Sequence, residues 1–151
     1  MSSSSRRPLI GALLRMPYEA VHQRIVAEAN AAGFEDLVPA HLAVLRYPGP
    51  NGRRPSDLAH EAGMSRQAMN YLLKQLESLD YIIREEDSED QRSKRVQLTS
   101  RGEALRDTIR KSVTSIETEI EKELGRSSYE RLRQLLVELN DTETVRREMG
   151  R

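Results

Sequence analysis

The sequence predicts a mainly α-helical protein that contains one small β-hairpin. Apolar residues recur at steps of three and four within 9–31, 100–124 and 127–147, which is the spacing of amphipathic helices. Two β-prone segments, 81–84 and 94–98, flank a polar stretch and indicate a hairpin. Charged residues make up 32% of the chain and aromatic residues only 4%, a composition that suits helices better than a sandwich or a barrel.

Composition also limits the classes of function. Lys and Arg together number 24, as do Asp and Glu, so any attraction to phosphates must come from local charge. The absence of cysteine excludes disulfides, thiol redox switches and Cys-based zinc sites. His22, His41 and His60 do not have metal-ligand spacing, and no nucleophile–base pair or phosphate loop stands out. We therefore predict no enzyme activity, no cofactor and no metal.

We divide the chain into a disordered, Ser-rich tail at 1–8 and a single domain at 9–151. Within the domain, 9–33 and 100–151 supply flanking helices around a lobe at 39–99. No apolar run is long enough for a membrane helix, and no cleavable signal follows the N-terminus. We expect a cytoplasmic protein with no membrane partner.

The lobe begins with two helices that meet at a tight turn. Ser56 is predicted to cap a helix over 57–61, Gly63 to end it, and Ser65 to cap a second helix that continues to about Leu79. Small Ala59 at the crossing point and apolar residues beyond it fit a helix-turn-helix. An ordinary helical hairpin with a glycine turn is the alternative.

The outward face of the second helix favours DNA recognition. No acidic residue occurs between Ser65 and Gln75. Arg, Gln and Asn suit base edges in the major groove, whereas Lys and Tyr suit phosphates. The predicted recognition residues are Ser65, Arg66, Gln67, Asn70, Tyr71 and Lys74.

The hairpin supplies a basic wing beside this helix. Arg92, Lys94 and Arg95 gather where the polar tip meets the return strand, and arginine is attracted to a narrow minor groove. Asp90 stands two residues before Arg92 and is placed to orient its guanidinium. A solvated charged loop is the alternative, because 85–90 is rich in acidic residues; we expect the other acids to face away from DNA.

The helix at 100–124 predicts a dimer. Either Thr99 or Ser100 is expected to cap it, and Ser100 with Glu103 fits a capping box. Its apolar stripe is too long for so small a monomer to cover, so a second copy is the natural partner. A monomeric helix packed on its neighbours is the alternative. Two-fold symmetry would place two recognition helices about 34 Å apart, which predicts a pseudo-palindromic operator.

The segment from Asp90 to Gly102 resembles the wing-to-helix signature of the MarR family of bacterial regulators, with Asp90, Arg92, Leu98-Thr99 and Gly102 in register. The runs 55–59 and 64–67 are similar to the helix-turn-helix of the same family. The resemblance covers essentially the whole chain and implies a winged helix-turn-helix with flanking dimerisation helices.

The resemblance also implies particular contacts. Ser65, Arg66, Gln67 and Asn70 would lie in the major groove, Arg92 would enter the minor groove, and Ser56 would meet a phosphate. We add Arg54, which directly precedes Pro55, to the predicted phosphate contacts.

The family resemblance further implies a homodimeric transcriptional repressor that binds double-stranded DNA. Members commonly release DNA when a small, often aromatic or phenolic, compound binds between the dimer helices and the DNA-binding lobe. No residue set for that ligand emerges here: Tyr18, His22, Phe34 and His41 could line a cavity or belong to core or surface. The alternatives are a ligand-independent or architectural DNA-binding protein and, from another class, a helical protein-interaction module.

Overall fold

The computed structural model describes residues 7–46, 49–90 and 93–149. These residues form seven α-helices, one 3₁₀ turn and one β-hairpin. In chain order they are α1 (Ile10–Ala31), the 3₁₀ turn (Pro39–His41), α2 (Leu42–Leu45), α3 (Pro55–Ala62), α4 (Arg66–Ser78), β1 (Ile82–Glu86), β2 (Lys94–Leu98), α5 (Ser100–Leu124), α6 (Arg126–Asn140) and α7 (Glu143–Glu148). The predicted mainly α fold with a two-stranded antiparallel hairpin is confirmed. Most of the predicted tail at 1–8 lies outside the described residues and stays a prediction.

One predicted helix start is wrong, and at another helix the structure decides between the two predicted caps. Ser56 does not cap α3; the helix begins at Pro55, with Arg54 at the N-cap position. Proline lacks an N–H and has a φ suited to the first helical position, so it displaces the start by two residues. At α5 the cap is Thr99, whose Oγ1 accepts a hydrogen bond from the Gly102 amide at 3.0 Å, so the capping box predicted for Ser100 does not form.

The predicted helix at 127–147 is in fact two helices. α6 ends at Asn140 and α7 begins at Glu143. Between them, the Thr142 hydroxyl donates to the Leu139 carbonyl at 2.7 Å and accepts from the Val145 amide at 3.4 Å. A side chain that bonds the backbone in both directions ends one helix and starts the next, which apolar periodicity cannot reveal.

The core lies between the second half of α1, the helices of the lobe, the base of the hairpin and the first two thirds of α5. Its fully buried members include Ala29, Met69, Leu73, Leu76 and Leu105. By contrast, 10–20 in α1 is exposed throughout, and Tyr129 is the one buried residue of α6 among those described. The monomer therefore leaves two apolar helix faces uncovered.

Gly102 sets how closely α5 approaches the hairpin. A Cβ atom at this position would lie 2.0 Å from the Tyr81 carbonyl oxygen and 3.0 Å from Leu98. The same carbonyl accepts a hydrogen bond from the Thr99 amide at 3.1 Å. Only glycine permits the start of α5 to pack directly on the backbone where β1 begins.

Candidate DNA-binding surface

The α3–α4 turn has the geometry that the sequence predicts. Gly63 adopts a left-handed conformation with φ of 63°, and the Met64 amide donates to the Ala59 carbonyl at 2.9 Å. Ala59 is 2% exposed, so the two helices meet over a small side chain. Ser65 caps α4 as predicted, because its Oγ accepts from the Ala68 amide at 3.1 Å. The turn holds α4 across α3 with its polar face outward.

The six predicted recognition residues are all exposed, whereas the opposite face of α4 is buried. Met69, Leu72, Leu73 and Leu76 pack into the core on that opposite face. The exposed residues are Ser65, Arg66, Gln67, Asn70, Tyr71 and Lys74. Gln75 donates from Nε2 to the Tyr71 hydroxyl at 3.2 Å, which fixes one edge of the face.

The wing is attached to the segment that precedes α3. Its strands pair from Ile82 with Leu98 to Glu86 with Lys94. Val96 forms two backbone hydrogen bonds with this segment. Its amide donates to the Arg53 carbonyl at 2.9 Å, and its carbonyl accepts from the Gly52 amide at 2.8 Å. The hairpin is thereby joined to the residues that lead directly into α3.

The structure brings predicted residues from three elements to one surface cleft. Arg54 and Ser56 lie at the start of α3, Arg66 and Asn70 lie on α4, and Lys94 begins the return strand of the wing. Pro55 and Ser93 complete the lining. Residues far apart in the chain thus form one polar, positively charged surface that continues along the exposed face of α4.

The structure describes the surroundings of only some of the other predicted wing residues. The Asp90 carbonyl accepts from the Ser93 amide at 2.9 Å, which shapes the tip. Arg92 lies outside the described residues, so its pairing with Asp90 remains a prediction. Arg95 is half-buried, and its Nη1 donates to the Gly52 carbonyl at 2.6 Å.

Sequence reasoning missed the acid at the centre of this region. Asp87 is 1% exposed and forms ion pairs with both Arg54 and Arg95, at 2.8 and 3.1 Å. The expectation that the acids of 85–90 other than Asp90 face away is wrong for this residue. Asp87 lies among the exposed acidic residues Glu85, Glu86, Glu89 and Asp90, and its acidic character alone does not predict that it is buried.

A second missed feature is a cavity of about 430 Å³ between α1, α2 and α5. Its apolar wall comes from Val21, Ile25, Leu42, Leu45, Ile109 and Val113, and its polar rim from His22, Arg46, Arg106, Arg110 and Thr114. The Arg106 Nε is buried without a hydrogen-bond partner. Of the four candidates named from sequence, His22 lines this cavity. Phe34 packs against the core, His41 is buried, and Tyr18 is 63% exposed.

The exposed apolar residues concentrate on two helices. Leu9, the residue before α1, is 81% exposed, and the first half of α1 carries Ile10, Leu13 and Met16. α6 adds Leu132, Leu135, Leu136 and Val137. Large apolar patches of this kind mark interaction surfaces. Among the described residues, no helix is long and apolar enough to cross a membrane, and no three His, Cys, Asp or Glu side chains gather as a metal site.

Comparison with known proteins agrees with this geometry. Residues 35–93 match the model of the MarR family. The chain is 31% identical over 140 residues to the HTH-type transcriptional regulator FarR of Neisseria gonorrhoeae, covering 92% of this chain and 94% of the relative. That relative is a transcriptional regulator, which is the class of function predicted for this chain.

Solved structures are similar over nearly the whole chain. NadR in complex with 4-hydroxyphenylacetate is 29% identical with a TM-score of 0.70, over 95% of this chain and all of the other. The transcriptional repressor CouR, bound to a 23-mer DNA duplex, is 23% identical with a TM-score of 0.73, over 92% of this chain and 97% of that one. The fold, the helix-turn-helix, the wing and the relatives lead to one conclusion: the chain belongs to the MarR family of DNA-binding transcriptional regulators.

Proposed function

We propose that this protein is a cytoplasmic, homodimeric repressor that binds a pseudo-palindromic DNA operator and releases it when a small anionic aromatic compound binds. The observation that carries the DNA assignment is the shared cleft of Arg54, Ser56, Arg66, Asn70 and Lys94. Three separate elements direct polar or cationic side chains to one surface.

Each part of this surface suits a different part of the duplex. The exposed amides of Gln67 and Asn70 and the guanidinium of Arg66 suit base edges in the major groove. Arg54, Ser56, Tyr71 and Lys74 flank them and suit phosphates, which fix register without reading sequence. Lys94 extends the surface onto the wing, where the sequence also places Arg92.

The uncovered apolar faces support the dimer. Leu9 before α1, Ile10 and Leu13 on α1, and Leu135 on α6 are each 45% exposed or more. Burying both faces against a second copy removes them from water, and two-fold symmetry is the commonest arrangement for such contacts. A dimer presents two α4 helices to successive turns of one DNA face.

The cavity supports ligand control. It lies where α5 and α1, whose first half carries part of the proposed dimer face, meet α2 of the DNA-binding lobe. Arg46, Arg106 and Arg110 favour a carboxylate, while the apolar wall suits a ring. NadR was crystallised with such a compound, 4-hydroxyphenylacetate. A ligand wedged between the lobe and the dimer helices would alter the spacing of the two α4 helices and lower DNA affinity.

A gel-shift series tests the proposal. The full-length protein is incubated with a random duplex pool, bound fragments are amplified and sequenced, and affinity for the selected duplex is measured from 50 to 200 mM salt. We expect an inverted-repeat motif in the selected fragments. We also expect the affinity for DNA to fall steeply as the salt concentration rises, because phosphate contacts release counterions. Salt-insensitive or undetectable binding would instead favour a helical protein-interaction module. Tight binding that no aromatic carboxylate weakens would favour a ligand-independent DNA-binding protein.

A further inference from the structure

The side chain of Asp87 lies at the end of β1 with none of its surface exposed. Its Oδ2 accepts hydrogen bonds from Arg54 Nε at 3.1 Å and Arg54 Nη2 at 2.8 Å, and from the Ser93 hydroxyl at 3.2 Å. Arg95 Nε lies 3.1 Å from the same oxygen. Oδ1 accepts from the Glu89 amide at 3.0 Å. One carboxylate therefore joins the start of α3, the wing tip and the return strand.

A buried carboxylate such as that of Asp87 is compatible with a stable fold only when its oxygens are paired. Removing a carboxylate from water is unfavourable unless charged partners and hydrogen bonds replace its hydration. The Glu89 amide, Arg95 and Arg54 hold the pKa of Asp87 far below its ordinary range, which favours the ionised carboxylate.

The two arginines use this carboxylate in different ways. Arg54 gives Asp87 its Nε and one Nη2 hydrogen, yet its side chain remains 37% exposed in the cleft that also holds Arg66 and Lys94. A guanidinium has five N–H donors, so several still point elsewhere. Arg95, in contrast, forms an ion pair with Asp87 through Nε and donates a hydrogen bond from Nη1 to the Gly52 carbonyl.

We infer that Asp87 is a positioning residue for DNA binding: it orients Arg54 toward the DNA backbone and, through Arg95, braces the wing against the segment before α3. This inference rests on the proposed function. It gives Arg95 a bracing role in place of the direct contact predicted from sequence, and it makes a buried acid necessary for binding a polyanion.

The direction in which DNA affinity changes when Asp87 loses its charge distinguishes a positioning role from simple charge repulsion. Replacing Asp87 with Asn removes one negative charge close to the DNA surface. Charge repulsion alone predicts tighter binding, whereas loss of orientation predicts weaker binding. Glu86→Gln makes the same charge change one residue away at an exposed position, so it is a matched control.

The experiment measures affinity for the duplex that the wild-type protein selects from a random pool, at fixed salt, by fluorescence anisotropy. We expect Asp87→Asn to weaken binding about tenfold, because charge-assisted hydrogen bonds to Arg54 are lost. Glu86→Gln should bind as tightly as the wild type or more tightly. In an Arg54→Gln background the further loss on adding Asp87→Asn should shrink to about threefold or less, because the two residues act together.

Several outcomes overturn the inference. If the wild type selects and binds a duplex but Asp87→Asn matches Glu86→Gln, the inference fails while the proposed function stands. If the wild type binds no duplex, both fail. Thermal unfolding and dimer mass are measured in parallel. Should Asp87→Asn not fold, Arg54→Lys serves instead: it keeps the charge but loses the paired donors, and we expect about fivefold weaker binding. Wild-type affinity in that variant would contradict the inference.

Discussion

The guanidinium of Arg101 lies over the ring of Tyr81, 4.3 Å from its centroid. Both residues also bond Asp36: Arg101 Nη2 donates to Oδ2 at 3.0 Å, and the Tyr81 hydroxyl donates to Oδ1. Asp36 follows α1, Tyr81 precedes β1 and Arg101 lies in the first turn of α5. This three-residue cluster is one of the contacts that join α1 and α5 to the DNA-binding lobe.

We expect Tyr81→Phe to destabilise the protein by about 1–2 kcal/mol, because it leaves a partly buried carboxylate with one partner fewer. Urea unfolding at pH 7 measures the change. Tyr71→Phe is the control, since Tyr71 is 63% exposed and its hydroxyl meets only Gln75 among the described contacts. Equal stability of the two variants would contradict a structural role for the cluster.

Gly102→Ala should destabilise the fold by about 3 kcal/mol, because the new Cβ would collide with the Tyr81 carbonyl. Gly11→Ala in α1 has nothing within 4 Å of its new Cβ and should leave stability unchanged or raise it by up to about 1 kcal/mol. Thermal unfolding of both variants tests the close approach of α5. A mild effect at Gly102 would show that the backbone there can shift.

Acid should weaken the fold through carboxylates whose pKa values are lowered in the native state. The Glu89 amide and Arg95 lower the pKa of Asp87; for Asp36, burial opposes the change, but the bonds from Tyr81 and Arg101 prevail. A lowered native pKa contributes stability that is complete above the unfolded value, about 4, and is lost as pH falls toward the native value.

We therefore expect the free energy of unfolding to decline between pH 4 and pH 2, with Asp87→Asn less stable at pH 7 but less sensitive to acid. The chosen range spans pH values below the unfolded pKa of about 4. Urea titrations across it provide the measurement. An acid response identical to that of the wild type would mean that Asp87 contributes nothing to the transition.

Asn70→Ala should reduce discrimination between the selected duplex and a scrambled one by about 1–3 kcal/mol, because an amide reads base edges. Lys74→Ala should instead weaken binding to both duplexes alike and reduce the salt dependence, as expected for a phosphate contact. Competition gel shifts compare the two variants. If Asn70→Ala lowers both affinities equally, Asn70 does not read bases.

Arg110→Ala should abolish the response to aromatic carboxylates while leaving DNA affinity within about threefold, since it removes one cation from the rim of the cavity. Lys111→Ala, an exposed neighbour that does not line the cavity, is the control. Anisotropy with bound duplex is followed as 4-hydroxyphenylacetate is added. Release that persists in Arg110→Ala would place the ligand elsewhere.

Elements with a clear cap and a long apolar repeat were predictable from sequence. Both α5 and β2 have the predicted bounds, and the Gly63 turn and the Ser65 cap form as expected. The exposed face of α4 follows from the same periodicity, because a buried stripe on one side requires a solvent face on the other.

The features that escaped prediction depend on tertiary contacts. Asp87 is buried against Arg54 at the start of α3, whereas Glu86 is exposed, and a run of acidic residues in the sequence does not reveal that contact. The cavity draws its lining from three separated helices. The break at Thr142 depends on local side-chain bonds that compete with the helix.

Hydroxyl-radical footprinting of the selected duplex tests the central claim most directly. We expect two protected regions on one face of the DNA, about one helical turn apart, one for each α4 of a dimer. Protection at both should disappear together when Arg66 and Asn70 are replaced by Ala. A single protected region, or a footprint unchanged by those substitutions, would contradict the account.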